Sequence, residues 1–217
     1  MKNYLNYNKG DVLISPAIIL AGGESKRMGQ DKFNIDINGK PMIIHVIENL
    51  KSAGCNEILI QTKQNKTELE NVLSNYDVKW NYDLSDDNDV LKALLSALNY
   101  AKNENWNSVQ LMPVDTPFVS QKLIRKLSYL LEENLEVVIP SSNSSKNTPS
   151  NGLEPLLSCL KVNPTIKKIN ENINKKDRRL GKILSEMKCL IVDEKIWSKW
   201  DVFEKSFKNI NYPNDRE

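Results

Sequence analysis

A glycine-rich segment near the start of the chain gathers three cations within a short distance. Residues 20–32 read LAGGESKRMGQDK, and the cations are Lys26, Arg27 and Lys32. Glycines let the backbone approach a ligand closely and expose its N–H groups, while the cations can neutralise phosphates. The segment therefore favours a loop that binds a triphosphate.

Two common phosphate-binding motifs do not describe this loop. No Gly-Lys-Ser/Thr ends it, as a Walker loop requires, and the spacing G-x-G-x-x-G of dinucleotide-binding proteins is absent. A flexible connection between a strand and a helix, with charges in solvent, is the alternative interpretation.

A second segment could bring a metal to the same phosphates. Residues 111–118 read LMPVDTPF, so Asp115 directly follows an apolar run that is predicted to be a strand. A hard carboxylate there could hold magnesium against phosphate oxygens, which makes Asp115 the candidate metal ligand. An aspartate at a turn is also a common cap or turn former.

The elements around these segments predict an α/β fold. Short apolar runs alternate with longer amphipathic ones, the pattern of parallel strands joined by crossover helices. The predicted strands are 17–20, 57–61, 78–80, 108–113 and 136–140, and the helices between them are 43–53, 66–75, 90–102 and 122–133. We expect a Rossmann-like, doubly wound, mostly parallel sheet with helices on both faces, whose ligands lie beyond the carboxyl ends of the strands.

The rest of the chain predicts one domain over residues 1–217. Residues 1–15 are interpreted as an N-terminal extension and the polar stretch 141–152 as a mobile surface loop that could act as a substrate lid. After this loop, the pattern predicts strands at 153–160 and 189–192 and helices at 165–173 and 180–187.

Composition limits the class of protein. Thirty basic and 28 acidic residues leave a net charge of +2, too small for nonspecific binding to nucleic acid, so phosphate binding should be local. Cys55, Cys159 and Cys189 form no C-x-x-C pair and are expected to be reduced thiols. Neither a signal peptide nor a membrane span is recognisable, so a cytoplasmic protein is expected.

Four motifs in chain order carry a resemblance to a known family. They are L-A-G-G-x-S-x-R-M-G-x-D-K at 20–32, N-G-K-P at 38–41, D-T-P-F at 115–118 and, within 207–215, N-I-N-Y-P. This combination resembles the molybdenum cofactor guanylyltransferases, the MobA family, from Ala17 to about Asp215. The first motif is shared with other sugar, isoprenoid and cofactor nucleotidyltransferases. The resemblance implies a fold of the nucleotide-diphospho-sugar transferase type.

The resemblance also implies a reaction and a set of site residues. The reaction is transfer of GMP from GTP to the terminal phosphate of molybdopterin, with Mg²⁺ bound and pyrophosphate released. Catalysis would rest on Arg27, Lys32 and Asp115, with Asp115 as the metal ligand. The implied nucleotide-binding residues are Leu20, Ala21, Gly22, Gly23, Lys32, Gln61, Asp83 and Asp115.

A run of charged residues suggests where the acceptor of the reaction binds. Residues 175–179 read KKDRR, and their position resembles an arginine-bearing segment of the family, which implies acceptor binding by Arg178 and Arg179. A charge run is otherwise typical of a solvated helix end. Proteins that supply the cofactor or receive the product are further possible partners.

One departure from the family keeps other functions open. The family usually has a Gly-Pro-Leu-Ala-Gly turn that passes near the nucleotide base and ribose, whereas residues 89–93 here read DVLKA. A cytidylyltransferase for the same cofactor, a sugar-phosphate nucleotidyltransferase and a noncatalytic nucleotide-binding adaptor are the alternatives. The single histidine, His45, is interpreted as structural, since no nucleophile–histidine set can be assembled around it.

Overall fold

The computed structural model describes residues 14–22, 31–63, 67–83, 89–142, 151–200 and 206–207. The strands are β1 (Ala17–Leu20), β2 (Asp36–Ile37), β3 (Lys40–Pro41), β4 (Ile58–Thr62), β5 (Lys79–Tyr82), β6 (Ser108–Pro113), β7 (Val137–Pro140), β8 (Cys159–Lys161) and β9 (Cys189–Val192). The helices are α1 (Met42–Ala53), α2 (Thr67–Val72), α3 (Val90–Asn103), α4 (Gln121–Leu130), α5 (Val162–Asn170), α6 (Leu180–Ser185) and α7 (Glu194–Trp197). Single turns of 3-10 helix cover Lys32–Asn34 and Pro155–Leu157.

One sheet of seven strands organises the protein. Its order is β5-β4-β1-β6-β8-β7-β9, and among these strands β8 is antiparallel to both of its neighbours while the other pairs are parallel. All residues of β4 and β7 are buried, as expected for parallel strands covered on both faces. The predicted doubly wound, mostly parallel sheet is confirmed.

Helices cover both faces of this sheet because neighbouring strand residues point in opposite directions. In β1, Ile19 belongs to a buried cluster with α1 and α4, whereas Ile18 belongs to a cluster with α3, α5 and α6. The same alternation divides Ile60 from Leu59 in β4. Each strand therefore fixes which of its side chains can reach each helical layer.

The hairpin of β2 and β3 was not predicted, although its signal is present. Asn38 and Gly39 both have positive φ, 52° and 84°, the conformation that favours an Asn-Gly pair in a two-residue turn. The Gly39 N–H donates to Asp36 Oδ1 at 3.1 Å. His45 Nε2 donates to the carbonyl of Ile37 at 2.8 Å, so the histidine ties the hairpin to α1, in line with a structural role.

The prediction of a strand over 153–160 is confirmed only for its last two residues, because β8 begins at Cys159. Pro155 begins a 3-10 turn there, because proline fixes φ and has no N–H to donate to a neighbouring strand. Ser158 Oγ donates to the Pro155 carbonyl at 2.7 Å and closes the turn, after which β8 begins. Helix α7 was also not predicted.

Several predicted features fall on residues that the structure does not describe. Residues 1–13 include most of the expected N-terminal extension, and residues 143–150 form most of the expected mobile loop. Both assignments, and the single-domain organisation, stay predictions.

The three cysteines are free thiols. Burial raises the pKa of Cys55 to about 12 and that of Cys159 to about 11, so both stay protonated at neutral pH. In the described ranges, no helix is both long and apolar enough to cross a membrane.

Candidate active site

The carboxyl ends of four neighbouring strands bring the predicted site residues to one edge of the sheet. Strands β5, β4, β1 and β6 are adjacent and parallel, so their ends meet there. Gly22 follows β1, Gln61 lies near the end of β4, Asp83 follows β5 and Asp115 follows β6. This is the edge at which open α/β sheets bind their ligands.

Lys32 and Asp115 form an ion pair at this edge although 83 positions separate them. The distance from Lys32 Nζ to Asp115 Oδ2 is 2.8 Å. The two side chains are 25% and 22% exposed, so solvent and a ligand can reach the pair. The pair joins one of the cations of the glycine-rich segment to the candidate metal ligand, as the sequence predicted.

Buried neighbours hold both members of the pair. Phe33, next to Lys32, is buried in the cluster under α1 and α4. On the other side, Thr116 is buried and its hydroxyl donates to the carbonyl of Pro113 at 3.2 Å. The turn after Asp115 is also tied to α1, since Asn49 Nδ2 donates to the carbonyl of Pro117 at 2.8 Å.

Two of the predicted site residues lie outside the described residues. Gly23 and Arg27 belong to the undescribed range 23–30, so their roles at the triphosphate stay predictions. Of the closing motif region, Phe207 is described and packs against Trp197 with ring centroids 4.4 Å apart.

The second part of the site joins Gln61, Asp83 and Gly22. Gln61 is 1% exposed and its Nε2 donates to Asp83 Oδ1 at 2.5 Å. The other carboxylate oxygen lies against Gly22, since a Cβ built on that glycine would meet Asp83 Oδ2 at 3.1 Å. A side chain at position 22 would therefore push the carboxylate away, which is a physical reason for glycine at this position.

Two residues that sequence reasoning missed fix the orientation of Gln61. Asn81 lies beside Gln61 in the register of β5 and β4, and its Nδ2 donates to Gln61 Oε1 at 2.7 Å and to Ser96 Oγ at 3.0 Å. Because an ionised Asp83 can only accept, Gln61 must turn its NH₂ group toward Asp83 and its oxygen toward Asn81. This chain of hydrogen bonds becomes apparent only when the strand register is known.

The electrostatic environment of Asp83 opposes its charge. Burial raises the pKa of Asp83 above its usual value, and the hydrogen bond from Gln61 and the positive charge of Lys63 offset part of this effect. A half-buried carboxylate of this kind is stabilised by a ligand that brings hydrogen-bond donors.

The departure from the family at residues 89–93 has a defined structure. Asp89 is the N-cap of α3, and its Oδ1 accepts hydrogen bonds from the N–H groups of Leu91 and Lys92 at 3.0 and 3.4 Å. Its Oδ2 accepts from Arg178. Burial alone would raise the pKa of Asp89, but the bonds from Arg178 and from the two N–H groups lower it below its usual value.

The two arginines predicted to bind the acceptor have different surroundings. Arg178 reaches the start of α3, as its bond to Asp89 shows. Arg179 instead forms a two-point interaction with Asp177, with Nε–Oδ1 and Nη2–Oδ2 distances of 2.9 and 2.8 Å. These hydrogen bonds, with one from Lys182, hold the pKa of Asp177 well below its usual range.

The described residues contain no group of three or more histidine, cysteine, aspartate or glutamate side chains that could hold a metal. Magnesium that accompanies a nucleotide needs one or two protein carboxylates, because phosphate oxygens and water complete its coordination. Asp115, a partly exposed carboxylate at a strand end, fits this requirement.

Solved structures share this fold at low sequence identity. Molybdopterin-guanine dinucleotide biosynthesis protein A from Archaeoglobus fulgidus superposes with a TM-score of 0.71 at 22% identity, covering 93% of this chain and 94% of the other. The 4-diphosphocytidyl-2C-methyl-D-erythritol synthase from Anaerococcus prevotii also gives 0.71, at 15% identity and with 94% and 92% covered. The fold is thus common to proteins named for different nucleotides.

Two relatives at higher identity carry the same name. The probable molybdenum cofactor guanylyltransferase of Natranaerobius thermophilus is 28% identical over 206 residues, covering 93% of this chain and 92% of that protein. The probable molybdenum cofactor guanylyltransferase of Pyrococcus horikoshii is 29% identical over 210 residues, with 92% and 95% covered. Residues 17–190 match the family described as the MobA-like NTP transferase domain. The matched residues run from β1 into β9 and include the Lys32–Asp115 pair. The chain belongs to the MobA-like NTP transferases, a family of nucleotidyltransferases.

Proposed function

We propose that this chain transfers GMP from GTP to the terminal phosphate of molybdopterin, giving the guanine dinucleotide form of the cofactor and pyrophosphate. The observation that carries this proposal is the Lys32–Asp115 pair, which stands at the same carboxyl edge of the sheet as Gly22 and Asp83. The names of the relatives support the choice of acceptor and nucleotide.

The carboxylate of Asp83 supports guanine as the base. Guanine presents two neighbouring donors, N1–H and the N2 amino group, whereas the corresponding edge of cytosine presents one donor, the N4 amino group, beside the acceptors N3 and O2. Asp83, when ionised, accepts hydrogen bonds only, and Gln61 holds it in place. The absence of a side chain at Gly22 leaves room for a base to approach this carboxylate.

The chemical step requires positioning and charge neutralisation more than covalent work by the protein. An oxygen of the acceptor phosphate attacks the α-phosphorus of GTP, the bond from that phosphorus to the β-phosphate oxygen breaks, and pyrophosphate leaves with the electron pair. The attacking oxygen is already anionic, so no general base is needed. Lys32 stabilises the charge that develops on the leaving pyrophosphate, and Arg27 is proposed to assist it.

Mg²⁺ is part of this proposal, with Asp115 as its protein ligand. When bound, the ion would neutralise negative charge on the phosphates. The Nζ atom of Lys32 lies 2.8 Å from Asp115 Oδ2, and this contact supports the proposal that the Asp115 carboxylate faces a cation.

The remaining assignments concern the acceptor and the setting. Arg178 and Arg179 are proposed to face the anionic acceptor, with Arg178 beside the start of α3. We place the reaction in the cytoplasm, with exchange of the cofactor through supplying and receiving proteins.

A pyrophosphate-release assay tests the proposal. The chain is incubated anaerobically with freshly prepared molybdopterin, Mg²⁺ and either GTP or CTP, and the dinucleotide product is identified by mass spectrometry. We expect pyrophosphate and product with GTP, and their loss in Asp115→Asn. Asp193→Asn is a matched control, because Asp193 caps α7 and asparagine caps helices equally well.

The alternatives give different results in the same assay. Product from CTP in preference to GTP would identify a cytidylyltransferase. Binding of GTP without any pyrophosphate release would indicate a noncatalytic nucleotide-binding protein.

A further inference from the structure

Helix α2 is hydrogen-bonded to two segments that carry residues of the proposed site. One segment is the 3-10 turn that begins at Lys32, and the other is β5, which Asp83 directly follows. Leu69 of the helix is fully buried in the same apolar cluster as Phe33 of the turn. None of the proposed nucleotide-binding residues belongs to α2 itself.

Glu68 ties this helix to the 3-10 turn. Asn34, the last residue of the turn, donates from its Nδ2 to Glu68 Oε1 at 2.5 Å. Inside the turn, the N–H of Asn34 bonds to the carbonyl of Asp31 at 3.1 Å. The N–H of Ile35 bonds to the carbonyl of Lys32 at 3.2 Å. These bonds join residues 31–35 into one unit, so a shift of Asn34 also moves the backbone of Lys32.

Glu70 ties the same helix to the sheet. Its Oε1 accepts a hydrogen bond from the Tyr82 hydroxyl at 2.8 Å, and this bond raises the pKa of Tyr82 above its usual value. The ring of Tyr82 is stacked on Trp80, with ring centroids 6.5 Å apart. Side chains two positions apart on a helix do not face each other, so Glu68 and Glu70 reach in different directions. The anchor on β5 therefore fixes the point from which Glu68 holds the turn.

The Lys32 ammonium depends on a fixed backbone because its own side chain is flexible. Lysine carries its charge on a flexible stem of four carbons, and ordering this stem on a ligand costs conformational entropy. A turn that also moved would add to the cost of binding, whereas a turn that is held before the ligand arrives lowers it. Electrostatic stabilisation of a developing charge likewise requires donors that are already in place.

We propose that Glu68 is a positioning residue for Lys32: through Asn34 it holds the 3-10 turn, and thereby keeps the Lys32 ammonium where the triphosphate binds. The inference rests on the proposed function, since that function assigns Lys32 to the triphosphate. Because Glu68 acts through the turn and not on the nucleotide, its effect on GTP binding should depend on Lys32.

A double-mutant cycle tests this dependence. The dissociation constants of GTP and GMP are measured by calorimetry at saturating Mg²⁺ for the wild type, Glu68→Ala, Lys32→Met and the double variant. Glu68→Gln keeps an oxygen that can accept the bond from Asn34. Glu48→Ala is the matched control, because Glu48 is an exposed glutamate of α1 that accepts from Lys40 Nζ at 2.8 Å.

We expect Glu68→Ala to weaken GTP binding about threefold to fivefold, the size of one exposed hydrogen bond. Its affinity for GMP, which lacks the β- and γ-phosphates, should equal that of the wild type. In the Lys32→Met background, the change at Glu68 should leave GTP affinity unaltered. Glu68→Gln and Glu48→Ala should both bind GTP as the wild type does.

Three results would overturn the positioning role and leave the proposed function intact. They are equal GTP affinity in Glu68→Ala and Glu48→Ala, an equal loss for GTP and GMP in Glu68→Ala, and an equal loss of GTP affinity with and without Lys32. Wild-type GTP affinity in Lys32→Met would instead remove Lys32 from the triphosphate, which would refute that part of the proposed function and, with it, this inference.

Discussion

Replacing Gly22 by alanine perturbs the proposed base site through a single methyl group. The new Cβ would lie 3.1 Å from Asp83 Oδ2, and the next neighbour, Lys63 Cγ, is 3.9 Å away. Gly22 needs no left-handed backbone, so the effect comes from this contact and not from backbone strain. The carboxylate cannot move freely, because Gln61 holds its other oxygen at 2.5 Å.

The size of the effect follows from this geometry. A contact of 3.1 Å requires Asp83 to shift by a few tenths of an ångström, which weakens its bond to Gln61 and its bonds to the base. A hydrogen bond to a charged group contributes about 1.5–3 kcal/mol. Loss of about 1.5 kcal/mol corresponds to roughly tenfold weaker binding of GTP. The free energy of unfolding should change by less than about 1 kcal/mol, as is usual for substitutions outside the core.

Calorimetric titration of GTP into wild type and Gly22→Ala measures this effect, and Gly181→Ala is the control. Gly181 lies in α6, where a Cβ would have only ordinary contacts at 3.7 Å or more, and alanine in a helix should stabilise the protein by about 0.5–1 kcal/mol. We expect GTP affinity to fall in Gly22→Ala and not in Gly181→Ala. Unchanged GTP affinity in Gly22→Ala would refute the placement of the base beside Asp83.

Three other substitutions have defined outcomes. Asn81→Asp places an acceptor against Gln61 Oε1, so the Gln61 amide should turn and GTP affinity should fall about threefold to tenfold. Calorimetry measures this affinity, and an unchanged value would contradict the role of Asn81 in orienting Gln61. Asp83→Asn removes a carboxylate whose pKa is raised above 3.8 by burial, so the variant should be more stable than wild type at neutral pH. In urea unfolding, this gain in stability should disappear as the pH falls to 3.8 and below. A gain that persists at this low pH would contradict the raised pKa. Asp89→Ala should lose about 1 kcal/mol of unfolding free energy relative to Asp89→Asn, because asparagine still caps α3; equal stability in urea would show that the cap contributes little.

Local patterns were sufficient to predict most of the sheet. The strands 17–20, 108–113 and 189–192 have the predicted bounds, because short buried apolar runs with clear polar flanks leave little choice of ends. The prediction of a strand at 153–160 followed the apolar residues of this segment and gave too little weight to Pro155, which starts a 3-10 turn. The Asn38–Gly39 pair, which belongs to the N-G-K-P motif, forms the turn of the hairpin of β2 and β3.

The site divides into a part that motifs reveal and a part that needs coordinates. The motifs that contain Lys32 and Asp115 predicted that these two residues lie close together, and in the structure Lys32 Nζ lies 2.8 Å from Asp115 Oδ2. The role of Asn81 depends on the register of two strands, and the Asp89–Arg178 pair joins positions 89 residues apart with no shared motif. Such contacts follow from packing of the whole fold and leave no local pattern.

The central claim is that Lys32 and Asp115 form one site for a triphosphate and its metal. Its most direct test is the dissociation constant of GTP, measured by calorimetry with saturating Mg²⁺ and with chelator for wild type, Lys32→Met and Asp115→Asn. The account predicts that Mg²⁺ strengthens binding to wild type about tenfold or more, that Asp115→Asn loses this dependence, and that Lys32→Met binds more weakly in both conditions. The same Mg²⁺ dependence in Asp115→Asn, together with wild-type affinity in Lys32→Met, would contradict it.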